Sequence, residues 1–141
     1  MKNRLKNILV TLSVGICFLC SVVVGANGYK DVDFNFDFST LSGPRYTVSE
    51  RKDTTSPAYA YVKHLSHGRE CLFSIVYADK SKSYYTEEVR VDEDNIWYCI
   101  SSNVVEDAGP GCYVRLRGDR LGVGSMNVSG WWSADSHRCE K

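Results

Sequence analysis

The octapeptide DVDFNFDF, residues 31–38, alternates too strictly for a helix. Successive side chains of a strand point to opposite faces, so Val32, Phe34, Phe36 and Phe38 share one side while Asp31, Asp33, Asn35 and Asp37 share the other. The same period of two returns around Tyr46 and Val48, and at 58–65, 71–77, 84–91, 96–100, 112–117 and 126–133. Between these pieces lie SGP (42–44), the polar break SERKDTTSP (49–57), SHGRE, ADKSKS, DEDN and GDRLGVGS, which supply the Gly, Asp, Asn and Ser that turns require. No stretch after residue 26 combines a helical period with good caps. Seven or eight short strands with no helix between them predict an all-β antiparallel β-sandwich, with a small barrel as the second architecture.

The first 26 residues stand apart. Lys2, Arg4 and Lys6 precede an apolar run from Ile8 to Val24, and Val24-Gly25-Ala26 supplies small residues at the cleavage-type positions. This is the pattern of a secretory signal peptide, residues 1–26. A membrane anchor would need roughly 20 apolar residues, which the run falls short of. Lipid attachment wants a very small residue before the modified cysteine, whereas Ile16 precedes Cys17 and Leu19 precedes Cys20. Residues 27–141 then form a single secreted domain. Its 14 Lys and Arg (17 less the three of the leader) face 17 Asp and Glu, for a net charge of −3, so nothing is basic enough for nucleic acid and no transmembrane segment is left.

Cys71, Cys99, Cys112 and Cys139 form an even set in an oxidising location, which predicts two disulfides. Of the three possible pairings, Cys99 with Cys112 would close the neck of the SSNVVEDAGPG loop and leave Cys71 for Cys139. A zinc site is the rival, but these four cysteines have no C-x-x-C spacing and no H-x-x-x-H occurs. No cofactor motif is present.

In MNVSGWWS (126–133), Met126, Val128, Gly130 and Trp132 share one face, and Asn127, Ser129, Trp131 and Ser133 the other. Trp132 belongs to the core set. Trp131 is expected to stand at least half exposed among polar residues, unless Gly130 marks a bulge that shifts the phase.

Three stretches, YTVSERKDTTSP (46–57), CLFSIVYAD (71–79) and VRLRGDRLGVGSMNVSGWWSADS (114–136), resemble an uncharacterised family of small secreted Gram-positive bacterial proteins. The resemblance implies a signal peptide followed by an all-β domain, with a Tyr and an Arg ahead of a Thr-Thr turn and a terminal V-S-G-x-W strand. It makes Trp132 the shared tryptophan and puts Trp131 at the variable position. The cysteines depart from that pattern, and the family carries no activity to transfer.

Trp131 offers an apolar ring for a sugar or a partner side chain. Tyr113, Arg115 and Arg117 have the outward parity of their strand, and pairing of the last two strands through GDRLGVGS would join them to Trp131 in one aromatic and cationic patch. The plainer alternative is a cross-strand contact that decorates the sheet. Arg117-Gly118-Asp119, the tripeptide that integrins recognise, falls at the tip of that expected hairpin, though Gly-Asp is also ordinary turn chemistry. The Asp31, Asp33, Asn35 and Asp37 stripe cannot converge on one ion, since alternate residues of a strand lie about 6.5 Å apart; charge guarding a sheet edge suits it better. DEDN (92–95) could fold around calcium, but it lacks the EF-hand pattern and reads as a solvated turn.

Catalysis lacks a signature. His64, His67 and His137 lie in or beside turns, no G-x-S-x-G or H-E-x-x-H occurs, and a Glu87 or Glu88 with Asp94 hydrolase has nothing to single it out. The sequence therefore points to a secreted, non-enzymatic binding protein that contacts a cell-surface protein or glycan through Trp131, Tyr113, Arg115 and Arg117. A bacteriocin-like antimicrobial is the alternative.

Overall fold

The computed structural model describes residues 30–79, 86–136 and 138–139. The expected leader, the start of the strand expected at 84–91 and His137 lie outside these residues. Among the described residues, nine strands and one short helix follow in the order β1 (Val32–Phe38), β2 (Arg45–Tyr46), β3 (Glu50–Lys52), β4 (Ala58–Leu65), β5 (Glu70–Tyr77), β6 (Val89–Val91), β7 (Ile96–Ile100), α1 (Val104–Ala108), β8 (Cys112–Leu121) and β9 (Met126–Ser133).

These strands form two antiparallel sheets. One has the order β1-β9-β4-β7; the other runs β2-β8-β5-β6, with β3 also paired to β8. The chain crosses between sheets at six of the eight connections between these strands, so most neighbours in space are distant in sequence. Alternation along β1 buries Phe34, Phe36 and Phe38 and exposes the residues between them. Their rings meet the opposite sheet, where Phe73 of β5 makes edge contacts with Phe34 (centroids 5.5 Å apart) and Phe36 (6.1 Å). The two inner faces thus share one core, closed by Val62, Ile75, Leu116, Val128 and the fully buried Trp132.

Two glycines are fixed by packing. Gly130 faces β4 where that strand carries an extra residue between Val62 and His64, and a Cβ there would collide with the Tyr61 carbonyl oxygen. The bulge lies on β4 and the alternation of β9 survives it, so Trp131 keeps its outward direction. Gly118 is the second. A Cβ on it would come 2.7 Å from the Phe36 ring. Residues 118–121, expected in a turn, instead prolong β8 against β5, with Gly118 opposite Phe73. The Arg117-Gly118-Asp119 tripeptide therefore lies within a paired strand, its Arg117 and Asp119 joined at 2.7 Å.

Two disulfides were expected and one is present, between Cys99 and Cys139. Neither expected pairing forms, for topological reasons. The segment after β7 crosses to the other sheet and buries Val104 and Val105 of α1 on the way, so residues 101–111 are no hairpin neck and Cys99 is not beside Cys112. Cys71 and Cys112 are free and buried. They cannot pair with each other. Cys71 is in register with Arg120, eight residues along β8 from Cys112, which is about 26 Å of strand. The Cys99–Cys139 bridge spans 40 residues and stabilises by about 4 kcal/mol in the chain-entropy account.

Burial, helped by the nearby Asp119 carboxylate, pushes the Cys71 thiol from 9.0 up to about 12, and burial also raises Cys112. Protein from Asn27 onward should therefore show no reactive thiol when native, two on denaturation without reductant and four after reduction, counted by alkylation and mass. The raised pKa also has a pH signature. An unfolded Cys71 loses its proton near pH 9 while the folded one keeps it to about pH 12, so its contribution is whole below that window and falls with rising pH across it. Denaturation series should show wild type losing up to about 1.4 kcal/mol per pH unit more than Cys71→Ala between these limits.

Candidate functional site

The sequence joined Tyr113, Arg115, Arg117 and Trp131 in one patch; the fold separates them. β8 pairs with β2, β3 and β5, whereas β9 pairs with β1 and β4 in the other sheet, so the two groups face opposite ways across the sandwich. On the β8 side, Tyr113 is 55% exposed and in register with Arg51, and Tyr46 is in register with Arg117. Arg51 and Arg117 are held by Asp53 and Asp119 at 2.8 and 2.7 Å. Arg115, half-buried between Tyr113 and Arg117 on β8, has no ion-pair partner among the described residues, and its buried Nε has no hydrogen-bond partner.

Trp131 has different company. Its register partners are Asp33 on β1 and Tyr61 on β4, and Tyr61 is in turn opposite Trp97 on β7. One cross-strand row thus runs Asp33, Trp131, Tyr61, Trp97 over the whole sheet. Tyr61 stacks on Trp131 with centroids 4.4 Å apart and lies 4.7 Å from Trp97. Trp131 is consequently half-buried rather than free-standing, and Trp97, 40% exposed, is the open ring of the row. Pairs of this kind add roughly 0.5–1.5 kcal/mol each beyond area burial, so the rings brace one another.

Beside it runs a second row of Ser133, Tyr59 and Cys99. The tail beyond β9 folds over this row, anchored by the Cys99–Cys139 bridge. Tyr59 is buried beneath it and donates its hydroxyl hydrogen to Asp31 Oδ1. The Arg138 guanidinium lies 4.6 Å from the Trp97 ring centroid and 5.7 Å from that of Tyr59. Tyr59, Tyr61 and Trp97 were not singled out from sequence, although Tyr59 and Tyr61 alternate visibly with Ala60 and Val62. Their juxtaposition with Trp131 depends on strand pairings of long sequence separation.

The remaining candidates resolve differently. Asp37 and Asn35 are tied together by Asn127 Nδ2, which donates to both at 2.6 Å, on the edge strand β1. In DEDN, the Asp92 and Glu93 amides point at the Tyr98 hydroxyl, which donates to the Glu93 carbonyl at 3.0 Å. Asp92, Glu93 and Asp94 line a shallow cleft of about 270 Å³ with Leu65, Ser66, His67 and Gly68. Among the described residues no three His, Cys, Asp or Glu side chains are grouped to hold a metal ion, and no helix is long and apolar enough to cross a membrane.

The acid–base pair that most resembles chemistry is sealed. Lys52, placed by the sequence in a polar break, is the last residue of β3 and has 0% exposure against 1% for its partner Asp135. Its Nζ donates to the carbonyls of Ser56 (2.5 Å) and Ala134 (2.8 Å) and to Asp135 Oδ1 (3.2 Å). The Asp135 carboxylate also accepts from the Asp53 and Thr54 amides and the Thr54 hydroxyl. The pair is closed to solvent, and it joins KDTTS (52–56) to the ADS (134–136) that follows β9.

Residues 21–136 match the model of a family described as Protein of unknown function (DUF2712). The chain belongs to that family. No curated protein and no solved structure matches it. The matched part contains both halves of the Lys52–Asp135 knot and the Asp33, Trp131, Tyr61, Trp97 row, while Arg138 and Cys139 lie beyond it. Within this DUF2712 chain, the stretches 46–57 and 114–136, distant in sequence, meet at the knot.

Removal of one partner leaves a buried charge unpaired. Lys52→Met should cost about 3–5 kcal/mol in chemical denaturation, and Lys52→Met with Asp135→Leu should cost clearly less than Lys52→Met alone.

Proposed function

We propose that the protein is exported and acts without catalysis, binding a protein or glycan at a cell surface through the outer face of the β1-β9-β4-β7 sheet. The observation that carries this reading is the row of Trp131, Tyr61 and Trp97. It is a rigid aromatic surface on the outside of a sheet, with Trp97 open to solvent although apolar burial would favour turning it inward. Rigid aromatic side chains give large contact area at little conformational cost, which is why they dominate binding surfaces. The leader-like residues 1–26 and the Cys99–Cys139 bridge support an extracellular setting.

Retention of purified protein on a glycan array and on immobilised cell-surface extract tests the proposal. Trp97→Ala and Trp131→Ala should each lower retention at least tenfold, the scale of a ~1.4 kcal/mol loss, while Tyr113→Ala on the opposite face leaves it unchanged. Equal retention by Trp97→Ala and wild type, both folded by circular dichroism, would remove this face from consideration.

A further inference from the structure

We infer that the aromatic row takes a basic peptide segment, one bearing two arginine or lysine side chains, and that Arg138 of the chain's own tail holds the place of one of them. This specifies the partner of the face proposed above and rests on that proposal.

The row already holds a cation. Arg138 sits over Trp97 at 4.6 Å and near Tyr59 at 5.7 Å, within the ~6 Å over which a ring face attracts a guanidinium. An internal side chain thus displays the chemistry that the open ring accepts. Arg138 is exposed and its side chain has no ion-pair partner among the described residues, so its guanidinium is placed by the rings while its backbone is held by the amide's hydrogen bond to Ser136 Oγ (2.9 Å) and the neighbouring Cys139 bridge.

The far end of the row is an unspent anion. Asp33 is exposed, in register with Trp131, and no described residue hydrogen-bonds or ion-pairs with its carboxylate. Asp31, Asn35 and Asp37 beside it are all engaged. A free carboxylate at one end and a cation-accepting indole at the other favour a dication over a neutral sugar or an acidic partner.

Spacing sets the ligand. Four adjacent strands span three inter-strand gaps, about 14 Å, and an extended peptide covers about 13 Å between residues i and i+4. Two basic residues separated by three others would place one on Trp97, displacing Arg138, and the other on Asp33.

A fluorescein-labelled Arg-Gly-Ser-Gly-Arg amide, followed by anisotropy at low salt, is the direct probe, with Glu-Gly-Ser-Gly-Glu as its control. Wild type should bind the basic peptide and not the acidic one, and binding should fall as salt rises. Trp97→Ala and Asp33→Asn should each weaken it several-fold; the second changes one exposed atom type and leaves packing intact. Arg138→Ala should strengthen it several-fold by clearing the ring. No binding of the basic peptide, or binding indifferent to Trp97→Ala and Asp33→Asn, overturns the inference, and an unaltered affinity in Arg138→Ala overturns the place-holder role. Trp97-dependent retention on the glycan array without peptide binding would overturn this inference alone and leave the face's binding role standing. Loss of both would remove both.

Discussion

A lysine and an aspartate taken wholly out of water tie the two sheets of this domain together. Isolated, either charge would be prohibitively costly in the interior, and even paired they stabilise only if their remaining donors and acceptors are satisfied. Here they are. Lys52 Nζ has three oxygen partners, and the Asp135 carboxylate gathers two amides and a hydroxyl. The pair ties β3 of one sheet to the segment leaving β9 of the other, so it fixes how the sheets are superposed. The directions of their outer faces follow from that superposition.

Much of the layering is visible in the sequence. The stretches 58–65 and 126–133 coincide with β4 and β9, the phenylalanine side of β1 turns inward, and Trp132 is buried while Trp131 faces out. What escapes is whatever depends on a partner far along the chain. Lys52 reads as a surface residue because its counter-charge comes from residue 135. Gly118 and Asp119 read as a turn because those residue types favour turns, yet the glycine is there to clear Phe36. The proposed site suffers the same way. Parity correctly gave Trp131, Tyr113, Arg115 and Arg117 an outward direction, but not which sheet each direction belonged to, and the chain's habit of crossing between sheets split them.

The two outer faces consequently differ in kind. Around β8, Arg51 and Arg117 are paired locally with Asp53 and Asp119, which leaves a polar surface with exposed tyrosines. Across β1, β9, β4 and β7 the aromatic side chains support one another, and carboxylates collect along one margin. Only the second arrangement sets apolar rings side by side while leaving one of them, Trp97, 40% exposed.

The burial of Cys71 and Cys112 bears on how the chain matures. Unfolded, the chain from residue 27 onward offers four thiols and three ways to pair all of them, and the folded product uses two thiols and leaves the others reduced. Selection among these products requires the layers to assemble first, so that two sulfurs are already hidden when an oxidant arrives. Bridge formation is then the closing event of biogenesis, and oxidation that outpaces collapse would strand the polypeptide in mismatched covalent isomers.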